Sequence, residues 1–338
     1  MSGVRIAVVG ATGLVGQTIL DVLRERQVPV DTLVALAHQS QGRMVQFGST
    51  DIPVEPVEEM DWRRVDVAYF AAGNAVSERY APRALEQGVT VIDKSSRYRM
   101  DPAVPLIVPE VNGQTLTDQK LIASPNCSTI QLVIALAPIY RRFGINRVIV
   151  STYQAVSGSG RDAVDELASQ IHGPQGPMSS PKVYPAPIAH NVLPYCDQFG
   201  EDNYTGEEWK LTRETAKILG SDVPVSATAV RVPVFVGHAE SVFVTTKEGW
   251  TLDDVRHALK SQPSVRIVDN PGEGVVPTPL DASGQDQVLI GRIRKDLHDP
   301  WGLHLFVVAD NLRRGAATNA IDIMDLLSHR WSAGVRRP

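Results

Sequence analysis

Cysteine is nearly missing from this 338-residue chain: Cys127 and Cys196 are its two thiols. So few in so long a chain exclude a disulfide framework and fit a reducing compartment, so a cytoplasmic location is expected. Neither belongs to a Cys-x-x-Cys pair or stands near histidines at metal spacing, and no metal site is expected. There is no run of about 18 apolar residues, hence no candidate transmembrane helix. The opening MSGVRIAVVG passes straight into a strand pattern, without the apolar stretch and cleavage site of a secretory leader. Charge of one sign is modest too. A formal net charge of -5 gives no reason to expect nucleic acid or a membrane surface as partner. Internal repeats and low-complexity tracts are absent.

Hydrophobic residues make up 43% and charged residues 21% of the chain, the balance of a soluble globular protein. The length is comfortable for two domains. In the first third, short apolar runs alternate with helical spacing. VRIAVVG reads as a strand, and LVGQTILDVLRER follows with Leu14, Ile19, Leu20 and Leu23 at helical spacing. DTLVALA, VDVAYFAA, VTVID and KLIAS are further strands, and RYAPRALEQG reads as a helix stopped at Gly88. Strands separated by helices pair in parallel through right-handed crossovers. Residues 1–130 are therefore expected to form an α/β, doubly wound (Rossmann) nucleotide-binding domain.

Beyond it the pattern changes. INRVIVSTYQAV, VPVSATAVRVPVF and AESVFVTTK are longer strands joined by long connections. They predict an α+β catalytic and dimerisation domain over 131–312 with a mostly antiparallel sheet. The outer face of so broad a sheet has no evident cover in the sequence, so a homodimer is expected. GPQGPMSSPKVYPAPIAHNVLP, dense in Pro and Gly, reads as a long loop that covers a site or a partner. GAATNAIDIMDLLSHRW has helical spacing, and a C-terminal helix over 313–332 is expected to complete the first domain.

Two places carry chemistry. Gly10-Ala11-Thr12-Gly13-Leu14-Val15-Gly16 follows the first strand and opens the first helix. Its glycines permit a tight turn and a close backbone approach, and the helix start offers free N–H groups to a pyrophosphate. The plainer alternative is a simple strand–helix turn. Cys127 lies in Ala123-Ser124-Pro125-Asn126-Cys127-Ser128-Thr129, after a strand and before the apolar helix IQLVIALAPIY. A thiol at a helix N-terminus is favoured as thiolate, the form that attacks an aldehyde. The alternative is a small buried cysteine, which is the reading for Cys196 in LPYCDQF.

SPNCSTIQ, with STYQAVSGSG about 25 residues on, resembles aspartate-semialdehyde dehydrogenase. GATGLVG, VPLIVPEVN, RVPVFVGHAESV and NLRRGAATNA match the same family in the same order, from residue 10 to residue 320. N-acetyl-glutamyl-phosphate reductase and glyceraldehyde-3-phosphate dehydrogenase share the chemistry but surround the cysteine differently. The resemblance implies that Cys127 is the nucleophile, His238 the acid/base and Gln154 the glutamine beside the nucleophile. It implies that Arg231 grips the substrate carboxylate and Glu207 meets its ammonium. Lys210 and Arg99 would bind phosphate, with Asn126 beside them. Arg97 stands where the family has a small residue, so which arginine meets phosphate stays open. The matching strings also imply cofactor contacts from Gly10, Thr12, Gly13, Leu14, Val15, Gly16, Ser157, Gly158 and Asn319.

The residue types suit the chemistry. A substrate with a carboxylate and an ammonium needs one fixed cation and one fixed anion, and a guanidinium binds a carboxylate through two parallel hydrogen bonds. Histidine titrates near neutrality and can pass a proton both ways. Plainer readings stand beside these: a satisfied strand-end His238, a surface-paired Arg231, and Glu207 with Lys210 as an exposed helical i,i+3 pair. The implied reaction is phosphorylating oxidation of aspartate 4-semialdehyde through a cysteine thioester, run in reverse for lysine or diaminopimelate, threonine and methionine synthesis. Rival readings are a non-catalytic paralogue and a reductase of another acyl phosphate.

An NAD site places an acid at the end of the second strand, about 20 residues past the glycines. Here DTLVALA ends at Ala37 and is followed by His38-Gln39-Ser40-Gln41-Gly42-Arg43. The missing carboxylate admits a 2′-phosphate, so NADP is expected, with Ser40, Arg43 or a protonated His38 as its contacts. The family's arginine is replaced by Gln39, which keeps use of both NAD and NADP as the alternative.

Overall fold

A computed structural model describes residues 3–38, 42–172, 181–220 and 223–332. The chain divides into two compact units. One holds the described residues up to Asn126 and those from Ala316 onward, and the other is Cys127–Gly315.

The first unit opens with β1 (Val4–Val9), α1 (Leu14–Glu25) and β2 (Val30–Ala37). A hairpin of β3 (Met44–Phe47) and β4 (Thr50–Pro56) follows, then β5 (Val67–Phe70), α2 (Asn74–Glu86), β6 (Thr90–Asp93), the short α3 (Pro109–Asn112) and β7 (Leu121–Ala123). The strands form a seven-stranded sheet in the order β3-β4-β2-β1-β5-β6-β7. All pairs are parallel except the β3–β4 hairpin. Strand periodicity sorts the core into two layers. Ile6 and Val8 of β1 pack with Ile19 and Leu23 of α1, whereas Ala7 and Val9 pack with Trp62, Tyr80 and Ala84 on the opposite face. The order reverses at β1, where β2 lies to one side and β5 to the other. That is the point where doubly wound sheets open a crevice for a nucleotide.

The second unit begins with α4 (Cys127–Phe143), whose residues from Ser128 to Ile139 are all buried. A helix apolar on every side belongs inside a core. After it come β8 (Ile145–Gln154), α5 (Arg161–His172), α6 (Gly206–Leu219), β9 (Val225–Arg231), β10 (His238–Thr246), α7 (Leu252–Lys260), β11 (Val265–Ile267), the short α8 (Pro279–Ala282), β12 (Val288–Lys295) and β13 (Gly302–Ala309). Its six-stranded sheet has the order β11-β12-β13-β10-β8-β9. The β12–β13, β13–β10 and β10–β8 pairs are antiparallel, and the flanking pairs are parallel. One face lies beneath α4 and α6. The other leaves Ile149 41% and Tyr153 39% exposed.

The chain then returns to the first unit. A π-helical turn at Arg313–Thr318 leads into α9 (Asn319–Ser332), whose Ile321 and Met324 join the Ile6 side of the core. The Pro- and Gly-rich stretch is free of helix and strand from 181 to 194, apart from a bridge of Leu193 to Arg231, and its residues 173–180 lie outside the described residues. Sequence patterning had not revealed the β3–β4 hairpin, α5, α7, or the strands β11, β12 and β13.

Candidate active site

The topology of the second unit gathers the reactive side chains at one end of its sheet. α4 ends at Phe143, the chain turns at Gly144, and β8 returns beneath the helix from Ile145. The 17 residues of α4 rise about 26 Å and the ten of β8 span about 33 Å, so β8 runs back the whole length of the helix and Gln154, at its end, stands at the end where the helix starts. β9 runs parallel to β8 with Arg231 in register with Gln154. β10 runs antiparallel, with Ala239 opposite Tyr153, so it starts at this same end and runs in the direction of α4. Cys127 at the start of α4, Gln154 and Arg231 at the ends of β8 and β9, and His238 at the start of β10 therefore converge. Gly158 fits between two of them. A β-carbon there would stand 3.0 Å from Nη1 of Arg231 and 3.2 Å from Nε2 of His238, so only a bare backbone fits without displacing one of them.

His238 is fully buried. Its Nδ1 lies 3.1 Å from the backbone nitrogen of Ala155, which can only donate. The neutral ring therefore carries its proton on Nε2, and that nitrogen has no partner among the described residues. Burial first, then the Arg231 charge, hold the imidazole well below its ordinary value, so it is neutral at physiological pH. Arg231 is buried, with Nη1 donating to the carbonyl of Ala155 at 2.7 Å. Its Nε has no partner among the described residues.

The acid side of the site is set by α6. Thr205 and Glu208 form a capping box at its start, and Glu208 Oε1 also accepts the N–H of Ala229 at 3.0 Å, tying the helix to β9. This fixes Glu207, whose Oε1 accepts from Nε2 of Gln154 at 3.2 Å. Lys210 lies 3.2 Å from Glu207 Oε2 and 2.7 Å from Asp197 Oδ2. Burial would raise the Glu207 carboxyl, but Lys210, Gln154 and Arg231 overcome it and hold the group below its ordinary value. The i,i+3 pair is thus present but largely enclosed, and Asp197 is a partner that the residue spacing had not revealed. Cys196 is buried beside this cluster. Burial first pushes its thiol up to about 12, with Glu207 and Cys127 adding to the effect and Arg231 opposing it. Ser157 is bonded through its hydroxyl to Asn311, which also accepts the N–H of Gly237 just before His238.

The other expected site residues belong to the first unit. At Gly16 a β-carbon would collide with the carbonyl of Gly10. α1 starts at Leu14 with Gly13 in the capping position, no side-chain cap and no acid in its first turn. Its leading N–H groups are thus left for an anion, as a pyrophosphate requires. Asn319 donates to Ile107 O and Ser124 Oγ, while its buried Oδ1 has no partner among the described residues. An orphaned amide oxygen matches the carboxamide N–H₂ of a nicotinamide, so this unit fits such a dinucleotide. Asn126 is buried. Arg99 is buried with Nε on Ser124 O and Nη2 on Lys94 O, whereas Arg97 pairs with Glu78 and lies over the Tyr98 ring.

Arg43 is exposed, and Ser40 lies outside the described residues. The end of β2 differs from the expectation that no acid stands there. β4 lies parallel beside β2, with Pro56 opposite Ala37, and delivers Glu58 to His38. A carboxylate therefore does stand beside the end of β2, contributed by another segment. It also accepts from the Tyr80 hydroxyl at 3.2 Å. Among the described residues no cluster could hold a metal and no helix is long and apolar enough to cross a membrane.

Two family models match the chain. "Semialdehyde dehydrogenase, NAD binding domain" covers residues 5–119 and "Semialdehyde dehydrogenase, dimerisation domain" covers 136–314. The aspartate-semialdehyde dehydrogenase of Aquifex aeolicus is 48% identical over 333 residues, 96% of this chain and 98% of that protein. That of Bacillus subtilis is 44% identical over 337 residues, 96% and 97% of the two chains. Among solved structures, aspartate semialdehyde dehydrogenase II from Vibrio cholerae complexed with ASA superposes with a TM-score of 0.93 at 43% identity, covering 98% of this chain and all of that one. The Candida albicans enzyme with NADP gives 0.74 at 26% identity, covering 97% and 99%.

Proposed function

The chain belongs to the semialdehyde dehydrogenase family, and from that membership we propose that it is an aspartate-semialdehyde dehydrogenase. It interconverts aspartate 4-semialdehyde, phosphate and oxidised nicotinamide cofactor with 4-phospho-aspartate and reduced cofactor, in amino-acid biosynthesis. The observation that carries this reading is the convergence of a helix-start thiol, a buried imidazole and a buried guanidinium with a Gln154-bonded carboxylate.

Cys127 adds as thiolate to the aldehyde carbon, its proton having left to solvent. The carbonyl oxygen becomes an oxyanion, which accepts a hydrogen bond from Nε2–H of His238. The acid/base role read from the sequence narrows here to a donor. A second proton, on Nδ1, would face the N–H of Ala155 across 3.1 Å. The cofactor, when bound, supplies the hydride acceptor in this direction and the hydride donor in the other. Loss of hydride from the adduct leaves a Cys127 thioester. Phosphate attacks the acyl carbon, the carbon–sulfur bond breaks, and the acyl phosphate departs as the thiol regains a proton. Arg231 takes the α-carboxylate through its guanidinium fork and Glu207 takes the ammonium. Lys210 and Arg99, with Asn126, take phosphate. Lys210 does so while shared between two carboxylates.

Gly10, Thr12, Gly13, Leu14, Val15 and Gly16 hold the dinucleotide, with Asn319 on the carboxamide and Ser157 and Gly158 as further contacts. NADP is the proposed cofactor. Its 2′-phosphate meets Ser40, Arg43 or a protonated His38. The enzyme is proposed to be cytoplasmic and a homodimer closed over the sheet face that exposes Ile149 and Tyr153. A monomeric mass at micromolar concentration would refute the dimer. The function is tested by phosphate-dependent reduction of the cofactor with aspartate semialdehyde, run beside the N-acetylated glutamate analogue. Preference for the analogue, or no turnover with either, overturns it.

A further inference from the structure

The sheet face beneath α4 carries an acid that the reaction does not use. Glu240 on β10 is fully buried, and neither carboxyl oxygen has a hydrogen-bond partner among the described residues. On α4, Gln131 is also fully buried, and neither end of its amide has a partner among the described residues. The Gln131 amide draws the Glu240 carboxyl down against burial, so the two lie near one another, although no hydrogen bond joins them among the described residues. Two polar groups in an apolar interior, each otherwise unsatisfied, have a strong reason to pair with one another.

Their positions give that pairing a meaning. Gln131 lies four residues into α4 from Cys127, one turn down the same side of the helix and about 6 Å deeper. Glu240 lies two residues into β10 from His238, on the same face of the strand and about 6.6 Å deeper. Because α4 and β10 start at one end and run the same way, the two side chains reach the same depth. We propose that Glu240 and Gln131 form a second rung between β10 and α4, one helical turn beneath the reacting pair, and that this rung positions the Cys127 sulfur against the His238 ring.

Both are positioning residues, acting through the elements they join. The groups facing Glu240 support a neutral acid: Thr152 stands opposite on β8 and Val307 opposite on β13, while the Glu207 carboxylate on α6 adds repulsion to burial. A protonated carboxyl offers one donor and one acceptor, the complement of a primary amide. The proposal rests on the reading of Cys127 and His238 as the reacting pair.

The test compares Glu240→Leu, Glu240→Gln and Gln131→Met in the full chain. Each variant is first shown by circular dichroism and melting to be folded. Glu240→Leu is expected to lower kcat by about 10–100-fold with KM changed less than about threefold, because a misplaced nucleophile loses orientation rather than binding. It should also slow alkylation of Cys127 by iodoacetamide, a readout that needs no substrate. Glu240→Gln should rescue both, since an amide can imitate a neutral acid. If Glu240→Leu does not fold, Gln131→Met carries the same expectation. A Gln131→Met/Glu240→Leu pair should cost no more than the worse single variant. Wild-type kcat and alkylation in folded Glu240→Leu and Gln131→Met overturn the rung. So does a Glu240→Gln variant as impaired as Glu240→Leu, which would mean that a carboxylate charge is needed. Failure of wild type to oxidise aspartate semialdehyde, with the alkylation pattern intact, would instead sink the proposed substrate.

Discussion

The backbone N–H of Ala155 points at Nδ1 of His238 across 3.1 Å, which assigns the ring proton to Nε2. With the folded imidazole held well below its ordinary value of 6.5, the unfolded chain takes up the proton first as pH falls. Stability contributed by keeping this ring neutral is present above about pH 6.5 and is lost below it. Melting temperatures taken from about pH 8 to about pH 5 should fall less steeply for His238→Asn than for wild type. Equal slopes would contradict the assignment. The same variant should lose about 10²–10³-fold in kcat, the cost of one lost oxyanion donor, while binding substrate nearly as well.

Cys127→Ala should abolish turnover while leaving the fold and cofactor binding intact. A covalent nucleophile leaves only binding and electrostatic effects behind it, so a loss of roughly 10³-fold or more is expected. Steady-state rates within about tenfold of wild type would sink the thioester route.

Arg231→Lys should cost much more than its conserved charge suggests. Nη1 is already engaged by the carbonyl of Ala155, and the fork beyond it is what a carboxylate would meet. An ammonium supplies a point charge without that geometry. We expect kcat/KM for aspartate semialdehyde to drop by about 10²-fold, near the cost of a lost charge-assisted hydrogen bond. Unchanged kinetic constants would remove the clamp role.

Cofactor choice turns on His38, Glu58 and Arg43. Arg43→Ala should weaken NADP selectively. Calorimetric titration with both dinucleotides decides between them. A preference for NAD above about tenfold, or 1.4 kcal/mol, would mean that Glu58 takes the ribose hydroxyl instead.

Both units were legible where one local signal sufficed. The glycine loop announces itself because a turn, a strand and a helix start are contiguous, and the thiol because α4 begins on it. The second-unit strands β8, β9 and β10 stand out because β-branched residues cluster in them. Less visible were relations that only the sheet creates. Glu58 reaches His38 because β4 lies beside β2, and nothing in either local sequence says so. Asp197 reaches Lys210 across 13 positions. β12 and β13 were missed although their runs VLIGRIRK and GLHLFVVA are apolar, because no regular spacing of turn signals sets them apart. Glu240, two residues past His238, is indistinguishable in the sequence from an ordinary strand residue, because only packing in the sheet buries it.

The return of α4 through Gly144 into β8 also makes residues 127–154 a ruler. One residue inserted in α4 would swing Cys127 by about 100° around the helix axis. One inserted in β8 would send Gln154 to the opposite face of the sheet. Side chains along this stretch can drift among apolar types, but its length cannot. Insertions and deletions should therefore be confined to places such as the connection from β12 to β13, at the far end of the sheet, where Leu297 stands 91% exposed.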